Sequence, residues 1–151
     1  MNERITITQS GPSLTEADIA QAEARLNRPI PKAYRDFLLQ HNSGHPEPNA
    51  FRRPPDGEAV DSVSWFYGLN TGHYGTDLEW NLKEDQDRMP PEMFPIASVG
   101  GCQICLCTTG EDSGKVYFWD SESEDPDIAQ PYYDNLYYLA DSFEAFLDLL
   151  A

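Results

Sequence analysis

All three cysteines of the chain fall in one short run, "GGCQICLCTTG", as Cys102, Cys105 and Cys107. Thiols so close together suggest a metal site or a redox motif. A structural zinc site needs about four converging ligands, commonly as two spaced pairs, and the chain has a single Cys-x-x-Cys. In an extended strand the side chains alternate between faces. Cys105 and Cys107 would then share one face and Cys102 the other, so one strand could not wrap all three around an ion. A thioredoxin-like motif opens a helix after a strand, whereas Ile104, Leu106, Thr108 and Thr109 are strand residues. The expected role of the thiols is apolar packing, with no metal ligand set and no cofactor.

The histidines offer no better constellation. His41 and His45 are four apart, but Asn42, Ser43 and Gly44 read as a helix end between them, and Asn42 stands where HExxH needs glutamate. His41 is expected to cap or pack against its own helix, and His45 and His73 to sit in surface loops. A zinc site recruiting these histidines stays open as an alternative, which metal lost on Cys105→Ala would reveal. The chain contains no GxSxG elbow, no GxxxxGK[ST] loop and no GxGxxG fingerprint. With 26 Asp and Glu, carboxylate pairs arise by chance and assign no hydrolase chemistry. The string Asp120, Glu122, Glu124, Asp125, Asp127 has the composition of a calcium loop. Counted from Asp120, however, Asp125 and Pro131 stand where an EF-hand needs Gly and Glu. A solvated acidic loop is expected, and no catalytic residue.

The net charge is -16, and it is unevenly spread. Through Arg53 there are seven Lys/Arg against six Asp/Glu (+1); beyond it there are three against twenty (-17). Such a chain repels nucleic acid, whose binding rests on neutralised phosphates. It attracts basic partners, although acidity can also serve solubility alone. The 151 residues suit one domain spanning 1–151. No apolar run approaches the ~20 residues of a membrane helix, and "MNERITITQSGPS" lacks a signal-peptide core. An odd number of cysteines suits reduced thiols and a cytoplasmic location.

The elements that must position these residues follow from spacing. "LTEADIAQAEARLN" predicts a helix with Thr15 as N-cap, Asp18 completing a capping box, and an apolar stripe of Ile19, Ala22 and Leu26. Pro29 stops it. Pro31 opens a second helix, with Tyr34, Phe37, Leu38 and His41 on one face and an end at Asn42–Gly44. Residues 45–58 read as a Pro-rich loop, 59–69 as a strand, and 70–75 as a turn. Residues 76–86 read as a short helix capped by Thr76. "FPIASVG", "CQICLCTT" and "KVYFWDS" predict an antiparallel meander turning at Gly100–Gly101. "LADSFEAFLDLL" predicts a helix capped by Asp141 or Ser142, with Phe143, Phe146, Leu147 and Leu150 on one face. The order gives an α+β fold: a central antiparallel or mixed sheet with two N-terminal helices and a C-terminal helix packed against it.

Taken in order, these motifs resemble the SUKH superfamily of Smi/Knr-type proteins. Ile30–Pro31 matches its Leu-Pro, Tyr34–Leu38 its second helix, and Asn42–Ser43–Gly44 its Asn-Gly-Gly. The Ser43 departure is tolerable if Gly44 alone takes the left-handed conformation. "FPIASVGGCQICLCTTGEDSGKVYFWDSE" matches the family's strand, Gly-Gly, strand and "G-x-V-[YF]-x-W-D" pattern, and "LADSFEAFLDLL" its terminal helix. The resemblance runs from about Leu14 to Leu150. It implies a non-enzymatic immunity protein that binds and neutralises a cognate bacterial toxin by protein–protein contact. Alternatively, it implies a regulatory or scaffold module with a non-toxin cellular partner. The resemblance names no interface, because the family's toxin-binding surface varies. The acidity suits a basic, nuclease-type toxin, with neither nucleic acid nor membrane as partner. The expected contact surface is the loop Asp120, Glu122, Glu124, Asp125 and Asp127, with Tyr132 and Tyr133 as aromatic anchors; a merely solvated loop is the other reading.

Overall fold

The computed structural model describes residues 4–123 and 133–151. Five antiparallel strands form the central sheet, in the order β5 (Trp65–Phe66), β6 (Met93–Val99), β7 (Cys102–Cys107), β8 (Val116–Trp119) and β9 (Leu136–Ala140). Two small antiparallel pairs stand beside it. One joins β1 (Thr6–Thr8) to β2 (His45–Glu47), and the other joins β3 (Ala50–Arg52) to β4 (Val60–Ser62). The α+β class and the antiparallel meander are as the spacing predicts.

The helices form where local chemistry favours them. In α1 (Glu16–Leu26), Thr15 and Asp18 make the reciprocal capping box, and Asn27 closes the end in the left-handed conformation. In α2 (Lys32–Gln40), Tyr34, Phe37 and Leu38 are buried. In α4 (Phe143–Leu149), Ser142 is the cap, and Phe143, Phe146 and Leu147 are buried. These faces meet one side of the sheet in a single core with Phe66, Phe94, Ile104, Leu106 and Phe118. Phe37, Phe66 and Phe143 form its centre, with ring centroids 5.0 to 5.8 Å apart and tilted or edge-on planes.

All six residues of β7 are buried because the other face is covered too. There Met89, Met93, Cys105, Cys107 and Trp119 form a second, smaller core. The Arg88 guanidinium lies 5.2 Å from the Trp119 ring centroid. Gln103 on this face donates to Asp85 at the end of α3 (Leu78–Asp85), at 2.7 Å, and accepts from the Tyr67 hydroxyl at 2.5 Å. Gly100, at φ +59°, makes the tight turn between β6 and β7 where the glycine pair predicts one.

Four expectations need correction. Residues 45–58 hold β2 and β3: β2 pairs with β1, some forty residues earlier, and β3 with β4, about ten residues later. Residues 59–69 form two short strands, not one. The cap of α3 is Asp77, whose carboxylate accepts from the Trp80 amide at 2.8 Å, not Thr76. Gly44 is not alone in the left-handed half of the map: Ser43 has φ 69° and Gly44 φ 125°.

Candidate partner-binding surface

The strand alternation separates the thiols as their spacing predicts. Cys102 faces the main core, while Cys105 and Cys107 face the second one. Burial pushes the Cys102 thiol up and the Cys105 thiol well up, so both stay protonated and weakly nucleophilic. Among the described residues no three His, Cys, Asp or Glu side chains converge as a metal-holding group. The three histidines stand apart. His41 ends α2 with its ring centroid 5.8 Å from that of Phe37. His45 is half-buried in β2 and hydrogen-bonds the Ser64 carbonyl through Nδ1 at 2.9 Å. The exposed His73 accepts the Gly75 amide on its own Nδ1 at 3.0 Å.

The acidic residues expected to meet a partner divide into two kinds. Asp120 is only 9% exposed. Its carboxylate lies 3.2 Å from the Arg53 guanidinium and accepts the Glu122 amide at 3.1 Å. Its backbone is tied to Asn135 in both directions, at 2.9 and 3.1 Å. Asp120 therefore holds the ends of the β8–β9 connection together. Glu122 points outward with its side chain 72% exposed, 3.9 Å from Arg53. Tyr133, 59% exposed, donates to Glu92 at 2.6 Å. It borders a groove walled by Glu92, Glu111 and Asp112 and floored by Met93 and Leu136. Glu124, Asp125, Asp127 and Tyr132 lie outside the described residues.

Most positive charge is used internally. Arg25 grips Glu79 in a bidentate pair with contacts of 2.6 to 3.1 Å, and Lys32 and Lys115 pair with Asp36 and Asp112 at 2.8 and 3.0 Å. Arg28 donates to the Pro91 and Met93 carbonyls, both at 3.0 Å. Arg4 donates to the last carbonyls of α4 at 2.6 to 3.0 Å, complementing the negative end of that helix.

A second surface feature escapes the sequence reading. His73 stacks on Tyr74 with centroids 4.8 Å apart, and Trp80 meets Tyr74 at 5.1 Å with its plane tilted by 54°. Tyr74 is 63% and Trp80 42% exposed, although most aromatics among the described residues are buried. The signal was available: Leu78 and Leu82 face the core, so Trp80, two positions from each, must face away. The loop beneath is rigidly held. Asn81, buried in α3, donates to the Tyr74 carbonyl at 3.0 Å and to the Asp77 carbonyl at 2.7 Å.

The described residues fold as an α+β unit in which helices pack on an antiparallel sheet. The chain matches the model of the SMI1 / KNR4 family (SUKH-1) over residues 13–149 and belongs to that family. It is also similar to the SPbeta prophage-derived uncharacterized protein YokK of Bacillus subtilis (strain 168). They are 28% identical over 150 residues, covering 88% of this chain and 72% of that protein. No helix among the described residues is long and apolar enough to cross a membrane.

Proposed function

We propose that this protein is a cytoplasmic immunity protein that binds a basic bacterial toxin by protein–protein contact and blocks it without catalysis of its own. The observation that supports this reading best is the disposition of charge. Lys and Arg side chains are drawn onto carboxylates and carbonyls of the same chain, the chain carries a net charge of -16, and Glu122 stays exposed. A nuclease-type toxin needs a cationic groove for phosphates. Exposed carboxylates such as Glu122 can occupy that groove in place of the substrate, and Tyr133 supplies an aromatic anchor beside them.

The test is co-expression with the toxin encoded next to its gene. Growth should be restored by the intact chain. Glu122→Lys should weaken toxin affinity and flatten its dependence on salt. A toxin left fully active would rule out the immunity reading. Unchanged affinity and salt slope in the Glu122 variant would remove the loop from the interface.

A further inference from the structure

A groove of about 400 Å³ runs between the Gln9–Gly11 turn and the Thr71–Thr76 loop, with the buried Ser43 beneath it and Trp65 and His73 in its walls. Asp, Glu, Lys and Arg make up 24% of the chain, yet none of the nine residues lining this groove is one of them. A cationic ligand finds no carboxylate in the lining, and an anionic one no ammonium or guanidinium. The lining offers uncharged hydrogen-bonding groups beside aromatic rings.

Those polar groups are of both kinds. The Ser10 hydroxyl donates to the Ser43 carbonyl at 3.3 Å, the Thr76 hydroxyl to Thr71 Oγ1 at 2.9 Å, and the Thr71 hydroxyl to the His73 carbonyl at 3.3 Å. With their protons held inside the protein, these oxygens are left as acceptors. Donation comes from His73. Its Nδ1 accepts the Gly75 amide at 3.0 Å, so the neutral ring carries its proton on Nε2. The exposed Gln9 adds an amide that both donates and accepts. Trp65 adds a flat apolar surface, met edge-on by the His45 ring at 6.1 Å, and Tyr74 backs the His73 ring at 4.8 Å.

The backbone of this aromatic groove is strained and fixed. Among the described residues four non-glycine residues have positive φ: Gln9 (59°) and Ser43 (69°) line the groove, Asn70 (56°) precedes Thr71, and Asn27 is an ordinary helix cap. Such conformations tend to gather at binding sites. The Gly11 amide bonds the Asn42 carbonyl at 2.6 Å, and Asn81 holds the Tyr74 carbonyl at 3.0 Å. Both walls are therefore set before a ligand arrives, and little ordering is required on binding.

We propose that this groove binds a short neutral saccharide. A sugar hydroxyl both gives and takes hydrogen bonds, which matches a lining of mixed donors and acceptors. The apolar C–H face of a pyranose ring packs on the Trp65 indole. His73 Nε2–H and the Gln9 amide donate to sugar oxygens, and sugar hydroxyls donate to the Ser10 and Thr71 oxygens. The groove's volume falls within the roughly 300–1,000 Å³ of ligand sites. This inference goes beyond the immunity reading and does not depend on it, since that reading places its contact at Glu122 and Tyr133.

The test titrates the full chain with cellotriose, the N-acetylglucosamine trimer and maltotriose at about 0.15 M salt, where surface charge is screened. At least one should bind saturably and move the amide NMR signals of Gln9–Gly11 and Gly72–Thr76 and the Trp65 indole N–H. The deacetylated glucosamine trimer, which is cationic, separates lining from overall charge. The net charge of -16 favours it, whereas the uncharged lining favours the neutral sugars, which should bind more tightly. Trp65→Leu keeps apolar bulk without the flat ring, and Gln9→Gly removes the amide while suiting the positive φ. Both should keep the native spectrum and weaken binding by roughly 10-fold and 3-fold respectively. No saturable shifts with any of the three sugars, tighter binding of the cationic trimer, or unchanged affinity in both variants would overturn the proposal. Equal binding of an acetylated and amidated Gly-Ser-Gly peptide at the same residues would assign the groove to a peptide instead. None of these outcomes bears on growth protection against the toxin, so the two readings fail separately.

Discussion

The Asn42 side chain clasps the backbone of Leu69 from both sides. Its Nδ2 donates to the Leu69 carbonyl at 2.7 Å, and its Oδ1 accepts the Leu69 amide at 2.8 Å. The same Nδ2 reaches the Pro12 carbonyl at 2.8 Å, and the Asn42 carbonyl accepts the Gly11 amide at 2.6 Å. One buried residue thus rivets the three loops that meet at the aromatic groove. Asn42→Ala leaves buried backbone groups unpaired and should lower stability by about 2–3 kcal/mol. Urea unfolding monitored by tryptophan fluorescence measures it. A loss below about 0.5 kcal/mol, the scale of an ordinary surface substitution, would contradict the rivet.

Gly68 is fixed by the same clasp. A Cβ there would lie 2.3 Å from Asn42 Oδ1 and 2.6 Å from Ser43 Cβ, closer than atoms can approach. Gly68→Ala should therefore cost about 3 kcal/mol or more, whereas Gly101→Ala, with nothing within 4 Å, should be nearly neutral. Thermal melts of the two variants side by side decide it.

The thiols should be inert in the folded protein. Burial raises the Cys102 and Cys105 pKa values, so the thiolate that reacts is scarce at neutral pH. Cys107 is equally enclosed, with its thiol donating to the Thr109 carbonyl at 3.3 Å. A disulfide reagent should label all three cysteines in denaturant and label them slowly, if at all, without it. Rapid stoichiometric labelling of the native chain would refute this.

Burial lowers the His41 pKa below its ordinary 6.5. The unfolded chain then takes up the His41 proton at a higher pH than the folded chain. Its contribution to stability is complete above about pH 6.5 and is lost as the pH falls toward the lowered folded value. His41→Gln should therefore lose less stability than the parent between about pH 7.5 and 5.5, as parallel urea titrations would show. An equal loss in both proteins would show that His41 does not contribute.

The local signals were legible where short-range chemistry sets the structure. The Thr15–Asp18 capping box, the Phe37 and Phe143 stripes and the Gly100 turn each depend on neighbours a few residues away. The alternation that parts Cys102 from Cys105 is equally local. The strands β1 to β3 were not legible: each is only three residues long, and β1 and β2 exist through each other across distant sequence, as Thr8 does through His45. Pro46 and Pro48 also mask the strand character of β2. Of the expected surface, Asp120 looked like any member of an acidic string, and its structural role depends on Arg53 from a different part of the chain. Trp80 was hidden for the opposite reason, since its helix was read for the face it buries and not the face it shows.

By itself the sequence determined the class of the fold, the alternation of its central strand and the sign of its surface charge, because periodicity, capping and composition act through adjacent residues. Only the tertiary structure decided which carboxylates are spent on internal cations and which face solvent. It alone brought residues 9–11, 43, 65 and 71–76 to one groove, because contacts between distant segments exist only once packing has closed the loops between them.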